Sequence, residues 1–591
     1  MRSVSPWFKL PGDFGRGVLV IALSVLLLSA CAWPTTTPAS ALVPTTDPAL
    51  SAVEPSSTHV PNATPTPIPP VDVAPVTGLP AGTDGYPWWN DTVFYQVFVR
   101  SFYDSNSDGI GDIQGLIAKL DYLNDGDPNT TVDLGVTGIW LLPIHPSPSY
   151  HGYDVTDYYA VNTDYGSLDD FKQLLAEAHK RGIRVIIDLV LNHTSSQHPW
   201  FVASQDPNSP YRDWYVWSTT DPGQAGWRRA DTGDYYYGFF WEGMPDLNYT
   251  DPDVTTEMEN VVRFWMQEVG VDGFRLDAAK YLIEEGTLIQ NSDSTHEWYK
   301  AFHPFYKSLD SQALTVGEVW DLSPTAAEYS QGDQLDLTFD FDLAKSFIVA
   351  LRTGRSEEVA GRLARDHALF KPGQYAVFLS NHDMNRVMSQ LAANEDKARS
   401  GATLLLTAPG VPFIYYGEEI GMLGKKPDED IRTPMQWSAE VNAGFTTGTP
   451  WRAVNPDFAE RSVAVQSADP ASLLSHYRAL IQLRNRHAAL RVGDLFIVET
   501  NQPSVFASLR ASTDEAVLVI VNLGKDPVSD YRLSLASGPL AVGGAYRAAP
   551  MLGAGPFARL TVNDQGGFDA YWPILTLPAN GSLIIQLQTE D

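Results

Sequence analysis

Four short segments place carboxylic acids, histidines and an arginine directly after apolar runs of the chain: 188–193, 273–280, 317–320 and 378–383. Hydrolysing a glycosidic bond with retention needs a carboxylate nucleophile and a carboxylic acid about 5 Å apart, on opposite sides of the bond. Asp277, Glu318 and Asp383 are the candidate carboxylates, because each lies at or just beyond the end of a predicted strand. This pattern predicts acid–base chemistry at one edge of a sheet.

The elements that must position these residues begin at Val93. Continuous apolar runs, typical of parallel strands buried on both faces, occur at 93–99, 138–142, 185–190, 273–276, 314–316, 375–379 and 411–415. A helical pattern at 168–181 ends at Gly182. Strands alternating with helices predict a βα barrel or an open doubly wound sheet, and polar residues after the strands are typical of barrel active sites.

Together with 244–248, the four segments resemble, in order and separation, the conserved regions of glycoside hydrolase family thirteen, the α-amylase family. The resemblance extends from about residue 86 to the C-terminus. It implies an α/β fold: a (β/α)8 TIM barrel at 86–192 and 251–490, an inserted domain after the third strand at 193–250, and a C-terminal antiparallel β-sandwich at 491–591. Short runs at 505–509, 516–521 and 582–587 agree with such a sandwich.

The resemblance also implies roles for the candidate residues. Asp277 is the nucleophile, kept ionised by Arg275 two residues earlier on the same side of the strand. Glu318 is the acid/base, with a pKa raised by desolvation and by nearby negative charges. Asp383 stabilises the oxocarbenium-like transition state, and His193 and His382 donate hydrogen bonds to sugar hydroxyls.

Further expected substrate contacts come from two other matches. In 150–158, Tyr153 matches the ring that stacks under the sugar at the cleavage site, and Asp154 matches the residue that braces the Arg275 counterpart. Lys280 matches a residue that contacts glucose units on the leaving-group side. These residues imply an α-glucan oligo- or polysaccharide as the substrate.

A calcium site is expected in the loop after the first strand. Oxygen-bearing residues alternate there around Gly109, as at the start of an EF-hand loop: Asp104, Asn106, Asp108, Ile110 through its carbonyl, and Asp112. An ordinary Asx-rich turn is the alternative interpretation. Asn192 matches a calcium ligand of many α-amylases, but the sequence does not assign its partners.

Specificity within the family rests on three departures from dedicated oligo-1,6-glucosidases. Met244, Ala278 and Tyr150 stand where those enzymes usually carry Gln, Val and Asp. The missing Asp leaves room for a longer chain, which favours an endo-acting α-1,4 enzyme, an α-amylase. Neopullulanase, cyclomaltodextrinase and oligo-1,6-glucosidase or α-glucosidase activities remain alternatives, as does transglycosylation. The non-catalytic heavy chains of amino-acid transporters also resemble the family, but they lose the carboxylates that are present here.

Composition and the N-terminus indicate an exported protein. The formal net charge of −31 argues against nucleic acid as a partner. Basic residues followed by a short apolar run at 18–28 predict a signal peptide at 1–31 that ends in a lipobox, with Cys31, the only cysteine, as the lipidated residue. A Pro/Thr/Ser-rich tether at 32–85 follows. We expect a membrane-anchored, extracytoplasmic protein, with a monomer favoured.

Overall fold

The computed structural model describes residues 78–590; the predicted signal peptide, Cys31 and most of the tether lie outside them. Within this range the first architectural unit is a sheet of eight parallel strands: β1 Phe94–Val97, β2 Gly138–Leu141, β3 Arg184–Leu189, β4 Gly273–Leu276, β5 Leu314–Gly317, β6 Leu337–Thr338, β7 Ala376–Val377 and β8 Val411–Tyr415. The strands pair in the order β7-β8-β1-β2-β3-β4-β5-β6. A parallel bridge from Phe339 to Ala376 joins β6 to β7, so the sheet closes into the expected (β/α)8 barrel.

Helices cover the outside of the barrel because their apolar stripes pack on the buried strands. The principal ones are α1 Ile113–Ala118, α2 Leu168–Lys180, α3 Pro252–Arg263, α4 Asp293–Leu309, α5 Ser323–Glu328, α6 Phe341–Thr353, α7 Glu395–Thr407 and α8 Leu473–Arg486. Shorter or additional helices are Leu120–Leu123, Pro199–Ser204, Phe264–Val269, Glu357–Leu369, Val387–Gln390, Asp428–Ile431, Val463–Ser467 and Ala488–Arg491. Local chemistry sets the bounds of α2, which begins with a capping box formed by Ser167 and Asp170.

The segment between β3 and α3 carries a small antiparallel sheet. Its strands, in pairing order, are Trp217–Ser218, Tyr235–Tyr237 and Trp227–Arg229. Aromatic contacts hold it to the helix Pro199–Ser204, where the ring of Phe201 stacks on Trp217 and meets Tyr236 edge-on. The segment therefore packs through its Trp and Tyr side chains, and it stands beside the carboxyl end of β3.

The C-terminal part contains two antiparallel sheets. The larger pairs Asp494–Ile497, Val505–Ala511, Ala516–Asn522, Ser582–Thr589, Ala545–Leu552 and Leu560–Thr561; the smaller pairs Glu499–Thr500, Leu533–Leu535 and Phe568–Tyr571. Strand Ala516–Asn522 is buried on both faces. Val517 and Val519 join the core of the barrel, whereas Leu518 and Ile520 join the core between the two sheets.

The barrel closes with one strand that the sequence patterns did not predict. Leu337–Thr338, the sixth strand, is two residues long and fully buried. It lies next to Asp336, whose side chain accepts hydrogen bonds from the backbone and hydroxyl of Thr315 on β5.

No helix within residues 78–590 combines the length and the apolar character needed to cross a membrane.

Candidate active site

Arg275 contacts two of the three candidate carboxylates, Asp277 and Glu318. Its Nη1 donates to Asp277 Oδ1 at 2.6 Å, and its Nη2 lies 2.8 Å from Glu318 Oε2. The backbone N–H of Ala278 donates to the same Glu318 oxygen at 3.1 Å. Because Leu276 of β4 pairs with Gly317 of β5, the two acids leave the barrel side by side. One guanidinium thus holds Asp277 and Glu318 together at the carboxyl ends of β4 and β5, and the space beside these two acids and Asp383 is here called the hollow.

The residue that braces Arg275 is Asp188 at the end of β3, and the expectation that Asp154 does so is wrong. Asp188 Oδ1 lies 2.5 Å from Arg275 Nη1, and its Oδ2 accepts a hydrogen bond from the Trp140 indole at 2.9 Å. Asp154 instead accepts hydrogen bonds from the hydroxyls of Ser147 and Ser149. Asp188 is completely buried, and burial raises its pKa to about 7 against the opposing charge of Arg275.

Asp383 is held by a second arginine. Arg432 Nη2 donates to Asp383 Oδ1 at 2.7 Å, and His382 Nε2 lies 3.0 Å from Asp383 Oδ2. The Gln96 amide nitrogen lies 2.7 Å from His382 Nδ1, an arrangement that assigns the ring proton to Nε2. Burial opposes ionisation of Asp383, but His382 and Arg432 outweigh it and hold its pKa well below the usual range.

Asp277 and Glu318 affect each other's ionisation. Burial raises the pKa of Glu318; Arg275 opposes that rise, while Asp277 and Asp383 add to it. Burial likewise raises the pKa of Asp277, so Arg275 offsets only part of the desolvation of the nucleophile candidate. A hydrogen bond with Glu318 lowers the pKa of Asp277, whereas the charge of Asp277 raises the pKa of Glu318, so Glu318 is the group that keeps a proton when Asp277 is ionised.

Tyr153 and His193, two further predicted substrate residues, are both buried. The Tyr153 hydroxyl is 2.7 Å from His382 Nε2, and the two rings stack with centroids 5.6 Å apart. Both ring nitrogens of His193 are buried without a hydrogen-bond partner among residues 78–590, and burial lowers its pKa to about 4. A neutral imidazole with an open donor suits a sugar hydroxyl.

Lys280 is less accessible than the sequence suggested. It is 6% exposed, and its ammonium donates to the Trp320 carbonyl at 2.7 Å and contacts Asp321 at 3.3 Å. Lys280 therefore holds the segment after Glu318 in place. Trp320 itself is 47% exposed and stacks on Phe341, with ring centroids 4.5 Å apart. Sequence reasoning missed this ring, although it lies in the same motif as Glu318.

The loop at residues 104–112 has a donor set of oxygens only. Asp104 and Asp112 are each 5% exposed, and no salt bridge reaches either within residues 78–590. Burial raises the pKa of Asp112, and Asp104 adds to the effect. Gly109, at φ 93°, supplies the tight turn, because a Cβ there would meet the Thr449 carbonyl oxygen at 1.9 Å.

The loop fits a hard cation only if its carboxylate, amide and backbone carbonyl oxygens bind the cation together. Backbone N–H groups already bond to Asp104, Asn106 and Asp108 in successive turns. Within the described range no three His, Cys, Asp or Glu side chains form a metal-binding group. A cation here would need the Asn106 amide and the Ile110 carbonyl as well as the carboxylates.

Asn192 lies beside the buried acid Asp246. Its side-chain oxygen and nitrogen, and Oδ2 of Asp246, lack hydrogen-bond partners within residues 78–590. Burial raises the pKa of Asp246 to about 7. Burial and the neighbouring Asp246 raise the pKa of Glu284 to about 8. Asp246 is thus an acid beside Asn192, and Glu284 is an acid near Asp246, that the sequence alone did not assign as partners of Asn192.

Comparison with known proteins gives concordant matches. The family described as "Alpha amylase, catalytic domain" matches residues 96–493. Alpha-amylase 3 of Dictyoglomus thermophilum is 41% identical over 449 residues, which cover 74% of this chain and 86% of that protein. An oligo-1,6-glucosidase of Parageobacillus thermoglucosidasius is 33% identical over 522 residues, covering 75% of this chain and 91% of the relative. The crystal structure of an α-amylase from H. orenii has a TM-score of 0.74 at 40% identity, covering 84% of this chain and 99% of that one.

Proposed function

The chain belongs to the α-amylase family of glycoside hydrolases, and from this premise we propose that it is a retaining, endo-acting α-1,4-glucan hydrolase. The observation that carries the proposal is the contact of one guanidinium, that of Arg275, with both Asp277 and Glu318. A retaining mechanism needs two carboxyl groups close together across the anomeric carbon, and this arrangement supplies them.

In the proposed reaction, Asp277 attacks the anomeric carbon while Glu318 protonates the leaving glycosidic oxygen. The bond to the leaving sugar breaks, and a covalent glycosyl-enzyme forms on Asp277. Glu318, now ionised, takes a proton from water, which attacks the same carbon and releases Asp277. Asp383 accepts hydrogen bonds from hydroxyls of the distorted ring, and Tyr153 and His193 contact the same sugar.

Internal cleavage of α-1,4 chains is supported by the surroundings of Tyr150. Tyr150 stands where an Asp would close the non-reducing end of the hollow, and it is partly exposed. The named relatives include an α-amylase and an oligo-1,6-glucosidase. Soluble starch, maltotriose, pullulan and cyclodextrin, assayed in parallel, separate the endo-amylase from the neopullulanase, cyclomaltodextrinase and exo-glucosidase alternatives.

The decisive experiment compares reducing-sugar release from starch by the wild type, Asp277→Asn and Asp164→Asn. Asp164 is an exposed acid paired with Arg100, away from the three candidate carboxylates, and serves as the matched carboxylate control. We expect the control to match the wild type and Asp277→Asn to lose its activity. Equal release by Asp277→Asn and the wild type would refute the assignment, and release of glucose alone would point to an exo-glucosidase.

We also propose calcium as a structural ion in the loop formed by Asp104, Asn106, Asp108, Ile110 and Asp112. The support is the oxygen-only donor set with two buried carboxylates. When bound, the ion would neutralise the loop carboxylates and tie the chain after β1 together. It supplies no step of the proposed hydrolysis.

Export and lipid anchoring on Cys31 are likewise proposed, from the N-terminal pattern alone. An anchored enzyme on an extracytoplasmic surface would meet polymeric α-glucan outside the cell. Metabolic labelling with a fatty-acid analogue, comparing the wild type with Cys31→Ser, tests the anchor. Label on Cys31→Ser equal to that on the wild type would exclude it.

A further inference from the structure

The two ring nitrogens of His382 face different partners. The side chain is completely buried, and Nε2 lies 3.0 Å from Asp383 Oδ2 and 2.7 Å from the Tyr153 hydroxyl oxygen. Arg432 pairs with Asp383, whose pKa is held well below its usual range. An ionised carboxylate only accepts hydrogen bonds, so Nε2 must carry a hydrogen to face it. The charge of the ring therefore depends on whether Nδ1 carries a hydrogen as well.

Gln96 is the only hydrogen-bond partner of Nδ1 within residues 78–590. Its amide nitrogen lies 2.7 Å from Nδ1, and its side chain is buried. Neighbouring strands fix its position, because Gln96 of β1 pairs with Trp140 of β2 and with Tyr415 of β8. An amide N–H donates to a nitrogen that has a free lone pair, which is the state of Nδ1 in a neutral ring. With the amide turned over, its carbonyl oxygen would require a hydrogen on Nδ1 and hence a charged imidazolium.

The surroundings of His382 oppose an imidazolium. Burial lowers the pKa of His382; Asp383 opposes this effect, and Arg432 and Arg275 add to it. Tyr153, which also faces the ring, stays neutral because burial raises the pKa of its phenol. An imidazolium would add a third positive charge beside the two arginines, where the positively charged transition state of glycoside hydrolysis must form. A neutral ring leaves the negative charge of Asp383 to that transition state.

We propose that Gln96 is a positioning residue that holds His382 in its neutral tautomer, with the ring hydrogen on Nε2. The inference rests on the proposed glucan hydrolysis and adds a residue that acts through His382. In this tautomer the Nε2–H can donate to Asp383 or to a sugar hydroxyl. Gln96→Glu keeps the shape of the side chain but offers Nδ1 a negatively charged acceptor. It should therefore convert His382 into an imidazolium.

Nuclear magnetic resonance reads the ring hydrogens directly. Two-bond ¹H–¹⁵N spectra of histidine-labelled protein should show an unprotonated Nδ1 and a protonated Nε2 for His382 of the wild type between about pH 5 and 8. Gln96→Glu should show both nitrogens protonated over that range. His382→Asn identifies the signals among the 12 histidines of the chain. A hydrogen on Nδ1 in the wild type, or the wild-type pattern in Gln96→Glu, would overturn the proposal.

The pH dependence of kcat on starch gives a second readout. We expect Gln96→Glu to move the acid limb of the profile to higher pH by about 1–3 pH units, because activity then requires the imidazolium to lose its added hydrogen. The matched control is Gln173→Glu, the same change at an exposed residue of α2 that accepts a hydrogen bond from Gln114. The control should keep the wild-type profile. An acid limb in Gln96→Glu that coincides with the wild type would exclude control of His382 by Gln96.

Other causes of lost activity give different results. A smaller folded fraction of Gln96→Glu would lower kcat by the same factor at every pH and leave the acid limb in place. The wild-type spectrum tests the tautomer even if the variant does not fold. Failure of the proposed function would show separately, as inactivity of the wild type on starch or full activity of Asp277→Asn, while the ring hydrogens of His382 would still be read from the spectra.

Discussion

Arg275 Nη2 and Glu318 Oε2 lie 2.8 Å apart, so the general acid candidate is held by the same guanidinium that contacts the nucleophile candidate. The acid is therefore placed by β4 and β5 together, and its proton affinity is set by the charge of Arg275 as well as by burial. Changes at Arg275 should consequently alter the protonation of both acids.

Arg275→Lys should move the acid limb of the kcat/KM profile to higher pH. Arg275 lowers the pKa of Asp277 against the effect of burial, and a lysine cannot contact Asp188, Asp277 and Glu318 with a planar fork. Loss of that contact raises the pKa of Asp277, and activity needs the ionised form. pH–rate profiles on maltoheptaose measure the shift. An acid limb at the wild-type pH would show that Arg275 does not control ionisation.

Glu318→Gln should lower kcat on starch by about 10²–10⁴-fold, because protonation of the leaving oxygen is lost. Glucosyl fluoride, whose fluoride leaves without a proton, should be affected much less in the formation of the glycosyl-enzyme. Asp277→Asn should lose activity on both substrates, since no nucleophile remains. Single-turnover measurements compare the two variants; equal losses on starch and fluoride in Glu318→Gln would remove Glu318 from the acid role.

Asp366 should make the protein less stable at alkaline pH. Its carboxyl packs against Asp340, and burial followed by the Asp340 charge raises its pKa to about 8, with Arg362 opposing. An unfolded Asp has a pKa of about 3.9. The contribution of protonated Asp366 to the free energy of unfolding is therefore fully present below that pH, and it is lost as the pH rises through about 8. Asp366→Asn cannot ionise, and it should unfold roughly 1–3 °C above the wild type at pH 9 but not at pH 5. Parallel melting curves across this range would contradict the expectation.

Arg510 should anchor the C-terminal sheets to the barrel. It is completely buried and donates to the Thr407 carbonyl at 2.6 Å and the Gly493 carbonyl at 2.8 Å. Arg510→Met leaves those carbonyls unsatisfied and should lower the free energy of unfolding by about 2–5 kcal/mol. Arg547→Met is the control, because Arg547 bonds to Gln588 at an exposed position. Equal denaturant midpoints for the two variants would deny Arg510 this role.

Calcium should raise the melting temperature if the loop at 104–112 binds it. A ligand at a hundred times its Kd stabilises the folded state by about 2.7 kcal/mol. A chelator should reverse the effect, and Asp108→Asn should require more calcium for the same shift. Magnesium at equal concentration is the control cation. A melting temperature that changes with neither calcium nor chelator would contradict the calcium site and support the alternative interpretation of this loop as an ordinary Asx-rich turn.

Long buried runs were predictable from the sequence, and short strands were not. The seven predicted runs correspond to β1–β5, β7 and β8, because strands buried on both faces are continuously apolar. The strand Leu337–Thr338 was not predicted, because two residues next to Asp336 are too short to show a continuous apolar run. Its existence depends on pairing with β5, which is a long-range contact.

The same division holds in the candidate site. Each strand-end motif predicted its own acid, and the structure brings Asp277, Glu318 and Asp383 together around two arginines. The partner of Arg275 was predicted wrongly as Asp154. Asp154 lies in the loop after β2 and Asp188 lies near the end of β3, and only the closed barrel decides which of the two contacts the guanidinium. The stacking of Tyr150 on Trp451 could not be predicted either, because the two residues are far apart in the sequence and meet only in the folded chain.

Ala278 adopts a left-handed backbone conformation, with φ 48° and ψ 35°. That conformation aims its N–H at Glu318, and for a residue with a Cβ it costs about 1–2 kcal/mol. A β-branched replacement would find this geometry harder still, whereas alanine tolerates it. The small side chain of Ala278, next to Asp277, thus lets the backbone itself position Glu318, the candidate proton donor, so the orientation of that acid depends on backbone conformation and not only on charge.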